Sequence, residues 1–179
     1  MKLVAMIATA LLSVAAITAQ TETPEPDVAD VFYRLDAGKH VPLERQAAAY
    51  HGSSHGFVVM TMKSTAEFPG ARSPVRFKSG EHIELIVRSL LSASAIDPNT
   101  LYSLRKLQSK KKTRELVMMS GHVSPVGSST TSNPAEGVLP VDFAKYGSSS
   151  LKMIPGELAP GEYAVGRPYG PSVFCFGVD

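Results

Sequence analysis

The segment that ends the chain, residues 173–178, carries apolar side chains on both of its faces. Phe174 and Phe176 alternate onto one face, and Cys175 lies on the other. A short run of this kind is typical of a strand that is packed on both sides. The fold must therefore supply a layer above and a layer below this strand, which predicts a layered β structure.

A second strand precedes it, and the two form a closing hairpin. Pro160-Gly161 is a turn signal, and Tyr163 and Val165 suit the strand that follows. The intervening residues 166–171 are rich in glycine and proline, which predicts a loop. A leucine, a proline-glycine turn and a tyrosine resemble the tyrosine corner of immunoglobulin-like sandwiches, in which the phenol hydroxyl binds the backbone. The alternative is an ordinary hairpin with a packed tyrosine.

The rest of the chain predicts further short strands and no long amphipathic helix. Residues 101–107 suit a helix or a strand equally, residues 45–50 would fit a short helical turn, and residues 124–137 are predicted as a long surface loop. Short strands without alternating helices predict an all-β, immunoglobulin-like β-sandwich of two antiparallel sheets with about eight or nine strands. The other predicted strands are 31–35, a partner that begins at 41–44, and 57–62, 75–78, 83–90, 115–119 and 147–154.

The N-terminal residues have the pattern of a secretory signal peptide. Lys2 precedes an apolar run and small residues, which predicts cleavage after Ala19, with Ala16 as the rival site. Residues 20–29 are predicted as a flexible leader and residues 30–179 as one β-sandwich domain. These features predict a secreted or periplasmic protein, with no transmembrane segment in the mature chain.

The charge and cysteine content narrow the class of partner. The 18 basic residues nearly balance the 16 acidic ones, whereas a nucleic-acid binder would show a basic excess. The single Cys175 cannot form an internal disulfide, and its phenylalanine neighbours indicate a buried thiol of raised pKa. Nothing in the composition requires a cofactor.

Residues 52–56 match the letters G-x-S-x-G around Ser54. In α/β-hydrolases that pattern holds a nucleophile on a turn between a strand and a helix. Here a predicted strand follows, so a hydrolase acting through Ser54 is the least favoured hypothesis. The S-x-x-K pattern at Ser103, Ser109 and Ser149 is equally poor evidence for a catalytic serine, because three matches occur in one chain.

Histidines and methionines raise the question of a metal. His51 and His55 could chelate an ion from a loop, but further ligands are not evident nearby, so two solvated histidines are favoured. Soft ligands for copper are the other option, since methionines and histidines recur along the chain. Core packing is the commoner use of methionine, so no metal site is predicted. The copper candidates are Met60, Met62, Met118, Met119, His40, His82 and His122.

Two further features concern binding. The basic run at residues 105–114 is predicted to lie at a solvated hairpin tip, where lysines also oppose edge-to-edge aggregation. The alternative for this run is a docking site for an acidic partner or a phospholipid surface. A secreted sandwich could bind glycans on exposed aromatic rings, but the chain has no tryptophan. Tyr50 and Tyr169 are then the best platform candidates.

Five short motifs mark the chain from residue 69 onward: PGARSPVR at 69–76, Asp97-Pro98, AKYG at 144–147, LAPGEYA at 158–164 and FCFGVD at 174–179. With them, the segment from about Phe68 to the end resembles a family of secreted bacterial β-sandwich proteins of unknown function. The resemblance implies export and an all-β fold, and it assigns no activity or catalytic residue.

The sequence therefore favours an exported, non-enzymatic module that presents loops or a sheet edge to an envelope or extracellular partner, such as a protein or a glycan. The alternative is a glycan-binding or metal-binding module that uses the loops with His51, His55 and Tyr169. Because a fold does not by itself assign a function, the specific partner stays open at this point.

Overall fold

The computed structural model describes residues 24–90, 96–131, 137–168, 170 and 172–179. The regular secondary structure of this part of the chain consists of strands in two sheets and one helical turn. The predicted signal peptide, residues 1–19, and Tyr169 lie outside the described residues. Within them, no helix combines the length and the apolar character needed to cross a bilayer.

The smaller sheet has five antiparallel strands in the order β12-β13-β7-β1-β2. Its central strand β7 pairs with β1 and β13, and its side chains are almost fully buried. Its strands are β1 (Phe32–Asp36), β2 (Lys39–Pro42), β7 (Leu85–Arg88), β12 (Val141–Tyr146) and β13 (Ser150–Pro155).

The larger sheet has ten strands, seven of them in the order β3-β15-β14-β8-β9-β5-β4. Strand β10 pairs with β9, β11 with β8, and β6 lies parallel to β15. The one helical turn, α1 (Pro98–Leu101), precedes β8 and is capped by the Asp97 side chain. The sheet consists of β3 (Glu44–Gln46), β4 (Ala49–His55), β5 (Met60–Pro69), β6 (Arg76–Phe77), β8 (Ser103–Ser109), β9 (Thr113–Ser124), β10 (Gly127–Thr131), β11 (Val138–Leu139), β14 (Gly161–Gly166) and β15 (Val173–Val178).

The closing hairpin is confirmed, and it lies at the centre of the molecule. β14 and β15 pair antiparallel, with Tyr163 opposite Phe176. Their rings stack at a centroid distance of 5.4 Å, and both are buried. The Tyr163 hydroxyl donates to the carbonyl of Ala159, which is the hydrogen bond that the tyrosine corner predicts.

The main core lies between the two sheets. Strands β14 and β15 direct alternate side chains into it, and β1, β7 and β13 face them from the smaller sheet. The opposite side of β15 carries Cys175 into a second apolar cluster. The last strand is therefore covered on both faces, as its composition predicted.

The second cluster fills the inside of a curl in the larger sheet. β3 and β4 occupy opposite ends of the strand order, yet only Ala47 and Ala48 separate them. Three residue steps span about 10–11 Å at most, so the sheet must bend until its ends nearly meet. Small residues inside the curl, Ala66, Ala164 and Cys175, leave room for that curvature.

Three segments differ from the sequence-based expectation. Part of the predicted loop at 124–137 forms strand β10, because the free edge of β9 offers backbone groups that pair whatever the side chains are. The predicted strand at 57–62 begins only at Met60, since residues 57–59 form a turn. Residues 44–46 and 49–55 are strands rather than a helical turn. The described residues contain fifteen strands, more than the predicted number, and several have only two to four residues.

The described part of the predicted leader is bound to the domain through Glu25. Its carboxylate accepts hydrogen bonds from the hydroxyls of Ser149 and Ser150 at 2.8 and 2.6 Å and from the Ser149 amide. Burial raises the pKa of Glu25, but the serine hydrogen bonds outweigh it and lower the pKa to about 2. Ala29 also forms a parallel bridge with Arg88.

Candidate functional site

The curled sheet has two ends of different chemistry. We call one the closed end, defined by the charged residues Glu44, Arg76, Arg114, Glu162 and Asp179. We call the other the extension, defined by residues 49–65 and 117–131, which form β4, β10 and the parts of β5 and β9 that pair with them.

Arg114 is the centre of the closed end and has no solvent exposure. Its Nη1 and Nη2 donate to the two carboxylate oxygens of Glu44 at 2.8 and 3.0 Å. Nε donates to the carbonyl of Gly70 at 3.0 Å, and Nη2 also donates to that of Pro69 at 2.9 Å. A buried guanidinium is tolerated here because its donors have partners in fixed geometry.

Glu162 continues the network and is also buried. One carboxylate oxygen accepts the backbone N–H of Ser73 at 2.8 Å and lies 3.7 Å from Arg114 Nη1. The other accepts from Arg76, whose Nη2 also donates to Asp179 at 2.6 Å. The PGARSPVR motif, the glutamate of LAPGEYA and the last residue of FCFGVD therefore meet at one place.

The electrostatics match this geometry. Burial lowers the pKa of Arg114, but hydrogen bonds and charge from Glu44 and Glu162 outweigh it, so the net shift is upward. Burial raises the pKa of Glu44, and hydrogen bonds from Arg114 and its neighbours more than reverse that effect. Both groups stay charged, and their paired side chains fill the closed end of the curl.

Gly177 makes room for the charged side chains of the closed end. A Cβ atom there would lie 1.6 Å from Nη1 of Arg76 and 2.7 Å from Oε1 of Glu162. The glycine of FCFGVD is therefore explained by the close approach of two charged side chains. Next to it, burial raises the pKa of the Cys175 thiol to about 12, which agrees with the predicted inert, buried cysteine.

Between the two ends, the curl contains a small apolar pocket of about 50 Å³. This volume has room for a few water-sized molecules. Arg105 and Arg167 bring cationic groups to its wall, although Arg167 is paired with Asp30 at 2.8 Å. The apolar lining includes Tyr50, Ala66, Leu116, Met118 and Ala164.

The extension continues outward from this pocket as an amphipathic sheet. Paired residues share a face, and the row Tyr50, Ala66 and Leu116 belongs to the inner face of the curl. Beyond this row the same face presents methionines and a valine among glycine and serine, and a β-bulge in β9 places Met119 opposite Ser64 on that face. Its apolar members in the extension are Tyr50, Met60, Met62, Met119 and Val123.

The opposite face of the extension is polar. Thr61 pairs with His55 on one side and with His122 on the other, so these three residues share this face. Lys63 and His51 lie on the same face, because they are an even number of residues from Thr61 and His55 along their strands. Both faces are largely exposed along β4. The outer part of the extension therefore has an apolar and a polar side without the sandwich packing of the body.

The tip of the extension is apolar. The β4–β5 turn carries Phe57 and Val58, whose exposed fractions are 104% and 68%. The neighbouring β9–β10 turn carries Val126, exposed at 98%. The two turns lie at the same end, since Met60 pairs with Val123. Residues 49–66 and 116–131 contain no Asp or Glu, and Lys63 is their only Lys or Arg.

Ser54 lies in the exposed edge strand β4, opposite Met62. It is not on a turn between a strand and a helix, so the structural context of a nucleophile elbow is missing within residues 49–69. The last glycine of the motif has a different role: Gly56 has a φ of +110°, and an added Cβ would lie 1.7 Å from the Val59 carbonyl oxygen. The motif contains the turn glycine of a hairpin.

The candidate histidines are not brought together, and the methionines Met60, Met62 and Met119 share the inner face of the extension, on which no histidine lies. His51 and His55 are four residues apart on one strand, about 13 Å along its axis, and His51 lies 3.4 Å from Glu67. Two strand spacings separate His55 from His122 across Thr61, and His40 contacts Tyr146 in the smaller sheet. Over the described parts of the chain, no three His, Cys, Asp or Glu residues are grouped to hold an ion.

The basic run forms the β8–β9 hairpin with exposed lysines at its tip, as predicted. Arg105 and Arg114 belong to the same run, yet both are buried. Of the platform tyrosines, Tyr50 is 61% exposed at the mouth of the pocket, and Tyr169 lies outside the described residues. The sequence did not predict the ion network or the amphipathic extension.

No family model, no curated protein and no solved structure matches this chain. The resemblance drawn from the five motifs therefore stays a hypothesis.

Proposed function

We propose that the protein is an exported, non-enzymatic binding module that engages an envelope or extracellular partner through its extension. The observation that carries this proposal is the apolar tip, where Phe57, Val58 and Val126 are exposed together. Single exposed apolar residues are ordinary, but adjoining ones indicate a contact surface.

The distribution of buried residues supports separate roles for the core and for the extension. The closed end and the core between the sheets contain the buried charges and the stacked aromatic rings. The extension adds little to either, since β4 is exposed along its whole length. A segment that contributes so little to the core is free to be selected for contact with another molecule.

Two finer parts of the proposal concern fold type and location. The face-to-face sheets and the Tyr163–Ala159 hydrogen bond support an immunoglobulin-like sandwich, although the curl of the larger sheet is an addition to that plan. The signal-like residues 1–19 support export. We infer from the five motifs that the chain belongs with secreted bacterial β-sandwich proteins.

A second candidate function is the binding of a small ligand. The pocket of about 50 Å³ beside the exposed Tyr50 supports it. That volume is small for a sugar ring, so a glycan would have to lie across the mouth on the Tyr50 ring. Tyr50→Ala would abolish binding to a glycan array in this case, and a glycan signal unchanged by Tyr50→Ala, or no signal, would rule it out.

The main proposal is tested by placing a photo-reactive benzophenone side chain at position 57. A matched protein carries the same group at Leu90, which is 71% exposed and lies outside the extension. After irradiation in the envelope fraction of cells that make the protein, we expect position 57 to cross-link far more than position 90. Equal labelling at the two positions would remove the extension from the proposed function.

A further inference from the structure

The shape and charge of the tip narrow the kind of partner. Phe57, Val58 and Val126 lie on two adjacent turns, at the narrow end of a sheet. A protein interface normally buries about 800 Å² on each partner over a complementary surface. A narrow convex end fits that requirement poorly, whereas a fluid lipid layer needs no complementary shape.

The chemistry around the tip fits the polar–apolar boundary of a lipid bilayer. Carboxylates are absent from residues 49–66 and 116–131, so nothing in the extension is repelled by anionic headgroups. Lys63 lies on the polar face, where its ammonium group can stay in water. Apolar side chains on one face with a cationic group on the other are typical of segments that lie in a membrane interface.

The backbone limits how deep such contact can go. In the β4-β5-β9-β10 ladder, β5 and β9 pair on both sides, whereas β4 and β10 pair on one side only and keep outward backbone groups that need water. The turn at residues 56–59 has backbone groups outside that ladder, and hydrocarbon offers them no partner. Only the side chains of the two turns are therefore suited to enter, to a depth of about 5–10 Å.

Resting on the proposed function above, we propose that the partner of the extension is a lipid surface and that Phe57, Val58 and Val126 insert into its headgroup–acyl boundary. The methionine-bearing inner face, including Met60 and Met119, continues the apolar surface behind the tip. Its flexible thioethers adapt to lipid chains without a fixed register.

The absence of tryptophan from the chain allows a direct test. Phe57→Trp places a single indole at the tip, and Leu90→Trp places one at a matched exposed position. With vesicles of phosphatidylcholine and phosphatidylglycerol, we expect the Phe57→Trp emission to shift to shorter wavelength and to be shielded from acrylamide. The Leu90→Trp emission should keep its solvent-exposed values.

A second pair of variants measures affinity by co-sedimentation. Phe57→Ser combined with Val58→Ser should weaken vesicle binding at least about tenfold, and Leu90→Ser should leave it unchanged. Circular dichroism should show the same strand content in all of them, because these residues lie outside the core.

Three results would overturn the lipid assignment: no spectral change at position 57, equal changes at positions 57 and 90, or a tip-dependent dimer in the absence of lipid. Each can be separated from failure of the proposed function. If the group at position 57 cross-links to a protein but the Phe57→Trp emission does not respond to vesicles, only the lipid assignment is rejected. If position 57 cross-links no more than the Leu90 control, the extension is rejected as the binding element.

Discussion

The closed end and the extension belong to the same curled sheet, yet they use the alternation of side chains in opposite ways. At the closed end, one face packs on the smaller sheet and the other holds Arg114 with Glu44 and Glu162. In the extension, the apolar face ends in the exposed Phe57. The difference shows that the strand pattern determines which side chains share a face. Whether that face is buried in the core or left exposed for contact depends on the layer that covers it.

Thiol reactivity gives the largest expected contrast between the two regions. Cys175 is buried with its pKa raised to about 12, whereas a cysteine introduced as Ser54→Cys would be exposed on β4. At pH 8 the exposed thiol should have a thiolate fraction about a thousandfold higher. We expect iodoacetamide to label position 54 at least that much faster in the same molecule, as followed by peptide mass spectrometry. Comparable rates would mean that the closed end opens readily.

Removal of the buried guanidinium should cause the largest loss of stability. Arg114→Ala leaves the partly buried Glu44 carboxylate without its bidentate partner and removes a neighbouring positive charge from the buried Glu162. We expect the free energy of unfolding to fall by about 3–5 kcal/mol, measured by urea denaturation. Lys112→Ala, at the exposed tip of the same hairpin, is the matched control and should change it by less than about 0.5 kcal/mol. A small loss for Arg114→Ala would show that water reaches the network.

Adding a methyl group at the closed end should have a smaller effect on stability than removing Arg114. In Gly177→Ala, the new methyl group displaces the flexible ends of Arg76 and Glu162 and disturbs their ion pair. We expect a loss of about 1–3 kcal/mol in the free energy of unfolding. Gly156→Ala is the control, since a Cβ there has no atom within 4 Å. Equal stability of the two variants would contradict the tight approach at the closed end.

The tyrosine corner contributes one hydrogen bond. Tyr163→Phe keeps the ring stacked on Phe176 but removes the donor to Ala159. We expect the free energy of unfolding to fall by about 0.5–1.5 kcal/mol. Tyr50→Phe changes an exposed hydroxyl and should have no measurable effect. If the two substitutions are equivalent, the corner does not stabilise the turn.

The smallest effect on stability is expected at the tip. Phe57→Ser combined with Val58→Ser should alter the free energy of unfolding by less than about 0.5 kcal/mol, although the same variant is expected to weaken vesicle binding. The same denaturation measurement applies, with Leu90→Ser as the control. A loss of several kcal/mol would show that the extension is part of the folding unit, and the comparison between the two regions would no longer hold.

Residues near the C-terminus were the most predictable from sequence. Tyr163, Phe174 and Phe176 lie in short runs whose composition suits only a covered strand, and their neighbours form a recognisable turn. The strand β10 was missed, because its serines and threonines pair through the backbone at the edge of β9 and leave no pattern in the side chains. Arg114 was assigned to a solvated tip, because a basic run gives no sign of which member faces inward.

The exposed tip was also not predicted. An apolar run such as residues 57–62 is ordinarily read as a buried strand, and only the position of Gly56 at a turn places Phe57 in solvent. The sequence does contain one sign of an unusual surface, which is the absence of acidic residues from 49–66 and 116–131. That signal becomes meaningful only when the two segments are known to be neighbours.

The sequence by itself determined the all-β class, the closing hairpin and the buried state of Cys175. These depend on periodicity and turn chemistry, which act over a few residues. Only the tertiary structure decided that Glu44, Arg76, Arg114, Glu162 and Asp179 meet, and that two distant hairpins share an apolar tip. The physical reason is that ion pairing and surface exposure depend on the curl of the sheet, which joins residues that are far apart in the chain.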